Sequence, residues 1–194
     1  MASNRSHLKR GVWDLQLGDD ETEVLRYLEL LAATEQLHWG HYSLFLIAEV
    51  DGVAAAGMCG FFENELGPGS VMAGAMEVNR KLGRTPEQVA EGWERAKSIM
   101  NLVIPHEPGA WVVEHVATRP EFRRRELVDR LVREMLERGR QRGATTADIG
   151  VLIGNEPAQR AYEKCGFHVV AEKRDTEFEA AYGSPGGRLL RRPV

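Results

Sequence analysis

The chain has little cysteine: two residues in 194, Cys59 and Cys165, far apart and outside any metal-ligand spacing. That excludes a disulfide framework and a cysteine-based zinc site, and it predicts two reduced thiols in a cytoplasmic protein. No apolar run approaches the ~20 residues a membrane helix needs. Met1 to Arg10 is polar and basic with no apolar stretch behind it, so a secretory signal is not expected. Internal repeats and low-complexity tracts are absent. There is no excess of positive charge either; the net charge is -4, and neither nucleic acid nor an anionic membrane is an expected partner. Arg123 to Arg142 and Arg188 to Arg192 are basic stretches, but they lack the interleaved aromatics of a nucleic-acid surface.

What remains is ordinary globular composition, 43% hydrophobic and 28% charged, at a length that suits a single domain over 1–194. Val12 to Leu17 alternates and predicts a first strand, followed by a helix with Asp19, Asp20 and Glu21 at its start. Leu44 to Val50, the turn Asp51-Gly52 and Val53 to Phe62 predict a hairpin. A helical insertion spans about 64–109, with one helix over Val71 to Leu82 and a second over Pro86 to Asn101. Thr85 and Gln88 are placed as a capping box for the second helix, with Pro86 at its first position. Trp111 to Thr118 reads as a strand, Glu126 to Arg138 as an amphipathic helix, Thr146 to Ile153 as a strand and Pro157 to Cys165 as a short helix stopped by Gly166. Phe167 to Glu172 and Gly187 to Arg191 read as final strands joined by a long loop. The order β, α, β-hairpin, helical insertion, β, α, β, α, β, β predicts an α/β protein: a central mixed sheet flanked by helices, with the insertion between strands 3 and 4.

Two stretches carry chemistry. A helix that starts directly after a strand presents free N–H groups and a partial positive charge, and Arg123, Arg124 and Arg125 stand at that point. The second stretch runs from Asn155 to Phe167. On its residues alone it is a short helix capped by Asn155, with Tyr162 two turns on and facing the same way.

Asn155, Ala158, Tyr162, Lys164, Gly166 and Phe167 match the signature Asn-x-x-Ala-x-x-x-Tyr-x-Lys-x-Gly-Phe. Val116 to Arg125 resembles the strand-to-pyrophosphate loop of the same family. With a helix and a strand between them, these stretches resemble the GNAT superfamily of N-acyltransferases. The resemblance implies the GNAT-like fold and acetyl-CoA as co-substrate, with no metal. The cofactor would lie between Trp111–Thr118 and Thr146–Ile153. Val116, Ala117 and Thr118 would hold its acetyl and pantetheine arm. Backbone N–H groups from Arg124, Arg125, Glu126, Leu127, Val128 and Asp129 would hold the pyrophosphate, beside Arg123. Asn155 and Ala158 would contact pantetheine. Tyr162 would protonate the leaving thiolate as a neutral amine attacks directly.

Glu114 is the candidate base, on the reasoning that it lies two residues before Val116 and so on the same strand face, with His115 on the other. Glu77, His38 and His41 read as packing or surface residues. Two departures from the family stand out: Glu126 in place of the first loop glycine and Val128 in place of a small residue. Glu126 would occupy part of the anion site when it is empty and weaken CoA binding, with the arginines compensating. The insertion would cap the acceptor pocket or form a homodimer contact. The loop Phe178 to Pro185 would either line the acceptor site, through Glu179 or Tyr182, or serve only as a β-β connection. The acceptor would be a small-molecule or peptide amine, its identity unreadable. A non-catalytic acyl-CoA-binding or regulatory protein on the same scaffold is the alternative.

Overall fold

The computed structural model describes residues 1–194 apart from the side chain of Pro68. The helices are α1 (Ala2–Arg5), α2 (Val12–Leu17), α3 (Glu21–Ala32), α4 (Pro68–Lys81), α5 (Pro86–Ala96), α6 (Leu127–Gln141), α7 (Glu156–Lys164) and α8 (Thr176–Tyr182). The strands are β1 (Phe45–Val50), β2 (Val53–Phe62), β3 (Trp111–Thr118), β4 (Thr146–Leu152), β5 (His168–Arg174) and β6 (Gly186–Pro193). They form one mixed sheet in the order β1-β2-β3-β4-β6-β5, in which only β3 and β4 run parallel. No helix among the described residues is long and apolar enough to cross a membrane.

Helices cover both faces. On one, Leu131, Val132 and Met135 of α6 and Tyr162 of α7 pack on Met58, Val113 and Ile149. Trp111 lies on this face where two glycines admit it: a methyl group at Gly60 or Gly139 would come within 2.7 Å of the indole. The other face carries the N-terminal and inserted helices, with Val112, Cys59 and Phe61 beneath Trp39. The capping box forms as expected: Thr85 N–H donates to Gln88 Oε1 at 2.9 Å and Gln88 N–H to Thr85 Oγ1 at 3.3 Å. The helix it starts ends at Ala96, earlier than expected, and Lys97–Leu102 tightens into a 3₁₀ turn.

Two expectations fail. Val12–Leu17 is a helix, not a strand. Asp14 accepts the Gly11 N–H at 2.8 Å and is itself buried against Arg5 and Asn4. Val12 and Leu15 face one hydrophobic cluster and Trp13 and Leu17 another, which satisfies a helical period as well as the apparent alternation. The expected loop before the last strand contains α8, capped by the Asp175 carboxylate on the Phe178 N–H at 2.7 Å and closed by Gly183 in the left-handed region. Phe178 and Tyr182 stack at 4.4 Å and are buried.

Candidate active site

β3 and β4 pair only over Trp111–Val113 and Ala147–Ile149. Beyond that point both strands continue but no longer pair, and the sheet opens. The opening leads into a cavity of about 1610 Å³. The expected catalytic and cofactor residues line it: Glu114, Val116 to Thr118, Arg123 to Asp129, Asn155, Ala158 and Tyr162.

The wall at β3 is a β-bulge. Gly57 pairs with Ala117 and Cys59 with Glu114, so Met58 alone faces His115 and Val116. His115 takes φ 55°, the left-handed region, to make the bulge. The bulge corrects two readings, because alternation does not carry through an extra residue. Val116 packs on the α6 face, whereas Glu114 pairs with Cys59 of the opposite face, so the two do not share a face. His115 lies beside Glu114 rather than across the sheet, its Nε2 3.9 Å from the carboxylate. It is sandwiched by Trp39 at 5.0 Å and Phe45 at 6.0 Å. Burial lowers its pKa despite the neighbouring Glu114, which keeps the imidazole neutral near pH 7.

The second wall is the turn into α6. The first hydrogen bond of that helix runs from Arg130 N–H to the Glu126 carbonyl at 3.2 Å, which leaves the amides of Leu127, Val128 and Asp129 without intrahelical acceptors. Arg123, Arg124 and Arg125 are exposed, and among the described residues none lies within 4.0 Å of a carboxylate; Arg125 rests 5.1 Å from the Phe122 ring centre. Arg124 and Glu126 both sit in the left-handed region, φ 62° and 57°. Glycine adopts that conformation freely, whereas an L-residue with a side chain pays ~1–2 kcal/mol. Glu126 does not fill the anion site, contrary to the sequence-based expectation. It makes no capping bond and turns outward to Lys164, 3.3 Å away, which also holds Asp129 at 2.5 Å.

Glu126→Gly therefore removes strain but adds unfolded-state entropy worth ~0.4–1 kcal/mol, so stability should move little. Affinity for an anionic ligand should rise by less than about fivefold, because a unit charge even ~4 Å from a phosphate costs only ~1 kcal/mol in water and the carboxylate turns outward. Calorimetric titration with CoA checks this, and unchanged or weaker binding would contradict it.

The third wall is α7. Asn155 Oδ1 caps the Ala158 N–H at 3.4 Å, and its Nδ2 donates to Ser6 Oγ at 2.6 Å. Tyr162 is buried, and burial, with a smaller contribution from Cys165, pushes its hydroxyl pKa up. The hydroxyl makes no hydrogen bond among the described residues. Thr118 Oγ1 is buried in the cleft without a partner.

The sequence reading missed a buried cluster that touches the cavity through His106. Asp148 of β4 is fully buried and accepts from Nε and Nη2 of Arg191, at 2.7 and 2.9 Å, and lies 3.0 Å from His106 Nδ1. Burial pushes its carboxyl up, but Arg191 and then His106 outweigh that and hold it at about 2. The available signal was a lone carboxylate among Ala147, Ile149 and Val151 of an interior strand. Other expectations are settled by contacts. Glu179 and Tyr182 do not line the cavity, and Tyr182 spends its hydroxyl on the Ala96 carbonyl at 2.8 Å. His38 is a packing residue, with Nε2 3.0 Å from the Leu31 carbonyl and Nδ1 accepting the Gly40 N–H. Glu77 pairs with Lys81.

A family model described as the acetyltransferase (GNAT) family matches residues 12–167. Among solved structures, one described as an acetyltransferase superposes with a TM-score of 0.65 at 18% identity, covering 93% of this chain and 85% of its own. An N-acetyltransferase from Staphylococcus aureus Mu50 gives 0.62 at 20% identity, over 93% and 89%. Ard1 from Thermoplasma volcanium gives 0.50 at 13% identity, over 91% and 81%. At these identities the likeness is one of fold. No curated protein sequence matches the chain.

Proposed function

Because the chain belongs to the GNAT acetyltransferase family, we propose that it is an N-acetyltransferase that moves an acetyl group from acetyl-CoA to an amine, using the opening between β3 and β4. The observation that carries this reading is the convergence on one cavity of a strand bulge, a helix start with free amides, and a buried tyrosine with a free hydroxyl. The residues fit the co-substrate: unpaired arginines and amides suit a pyrophosphate, and the orphaned Thr118 hydroxyl suits an amide-bearing arm.

Acetyl-CoA supplies an activated acyl carbon; the chain supplies position and protons. The amides at Leu127, Val128 and Asp129, with Arg123 to Arg125, hold the diphosphate. Asn155 exchanges Ser6 for the pantetheine arm. Neither His115 nor Val116 has a register partner of its own in β2, and in this reading an amide at the bulge donates to the developing oxyanion. The acceptor nitrogen forms a bond to the acyl carbon as the carbon–sulfur bond breaks. Glu114, half-exposed beside a neutral His115, takes the amine proton. Tyr162, kept protonated by its raised pKa, donates to sulfur.

Glu126 at a left-handed position favours one other reading, a binder that does not turn over. Thiol release from acetyl-CoA with a panel of amines separates the two. Release matched mole for mole by acetylated amine supports transfer. CoA binding without release supports the binder.

A further inference from the structure

The cavity continues past Glu114 and His115 into a long apolar arm that acyl transfer alone does not explain. Leu66 and Trp39 share a cluster at the His115 end, and α4 starts just after Leu66. One stripe of α4 then lines the arm through Met72, Ala75, Met76 and Asn79, facing Trp13, Tyr27 and Trp93. Met72 and Met76 are 65% and 72% exposed, high values for apolar side chains that line a cavity.

Arg84 lies at the far end of this arm. Its backbone is fixed by its N–H to the Asn79 carbonyl at 3.0 Å. Its side chain lines the cavity, Nε is buried without a hydrogen-bond partner, and no carboxylate lies within 4.0 Å among the described residues. A buried, unsatisfied guanidinium N–H is costly, and a planar fork of this kind is best satisfied by a carboxylate. Among the described residues the acids that line the cavity are Glu63, Glu114, Glu126 and Asp129, and none of them pairs with Arg84.

We infer that Arg84 is a carboxylate-binding subsite, and that the acceptor is an extended apolar amine ending in a carboxylate. A short hydrophobic peptide with a free C-terminus is the simplest form. From residue 71 to residue 79 the helix rises ~12 Å, about the extended length of three to four residues. A single α-amino acid, whose amine and carboxylate share one carbon, is too short to reach both ends. The inference rests on the acetyltransferase reading above and adds the class of acceptor to it.

The test compares the tripeptide Ala-Leu-Phe with its C-terminal amide as acceptors, in the wild type and in Arg84→Met, which keeps the unbranched apolar stem. The wild type should favour the free acid by about 10- to 100-fold in kcat/KM, the range of a charged hydrogen-bonded contact. In Arg84→Met the acid-to-amide ratio should fall to near 1. Thermal melting of the variant confirms that it is folded. A wild-type ratio near 1, or the same preference in Arg84→Met, overturns the carboxylate subsite while the amide's acetylation keeps the transferase reading intact. Transfer to no amine at all overturns both.

Discussion

Tyr162→Phe is expected to lower kcat for acetyl transfer by roughly 10²- to 10⁴-fold, the usual contribution of a positioned proton donor. The tyrosine ring is part of the apolar contact between α7 and the sheet, and phenylalanine keeps that contact while removing only the hydroxyl. The hydroxyl has no hydrogen-bond partner among the described residues, so its loss strands no buried group there. CoA affinity and melting temperature should therefore hold while turnover collapses. A loss confined to KM would place the tyrosine in binding rather than in proton transfer. The effect should be smallest with acyl donors whose thiol leaves as a stable anion, because such a thiolate needs no proton. Unchanged turnover with acetyl-CoA would remove Tyr162 from the chemistry.

Asp148→Ala should cost about 3 kcal/mol of stability, read from the denaturant midpoint. The substitution leaves Arg191 and His106 without the carboxylate they share inside the sheet. The low end of the ~3–5 kcal/mol range for breaking a buried ion pair applies, because Arg191 keeps Glu107 at 2.7 Å. The same carboxyl also shapes acid unfolding. Its folded pKa, about 2, lies below the ordinary 3.8, so the unfolded chain binds the proton first as the pH falls. Its stabilisation is fully present above about pH 4 and is lost as the pH falls towards 2. Asp148→Asn should flatten that part of the stability profile. A profile that keeps its slope between pH 4 and 2 would show that the acid sensitivity arises elsewhere.

Much of this site was legible in the residues because backbone-driven features leave strong local marks. Asn155, Tyr162 and Gly166 specify a capped two-turn helix, and the helix forms as written. The strand-to-helix turn at Arg123 to Leu127 was readable for the same reason. Glu114 and His115 were misplaced because period-2 reasoning assumes an unbroken ladder. Only the pairing partner, in which Met58 alone faces two residues of β3, reveals the bulge. The segment 12–17 was misread because six residues fit two periods equally well, and the deciding contact came from Arg5, outside the window. α8 had its marks in plain view: Asp175 as a cap, Phe178 and Tyr182 four apart, and Gly183 as a stop. Asp148 and His106 are 42 residues apart and meet only when the sheet forms. The apolar arm is beyond sequence reading for the same reason, since Trp13, Tyr27, Met76, Arg84 and Trp93 come from four helices and a turn.

The central claim is that the gap between β3 and β4 is the acyl-CoA site, with Tyr162 at the sulfur. A crystal structure of the CoA complex tests it most directly. The account predicts the diphosphate on the amides of Leu127 to Asp129, pantetheine bonded to Asn155 in place of Ser6, and the sulfur within hydrogen-bond reach of the Tyr162 hydroxyl. CoA bound outside this gap, or inside it with its sulfur turned away from Tyr162, would contradict the account.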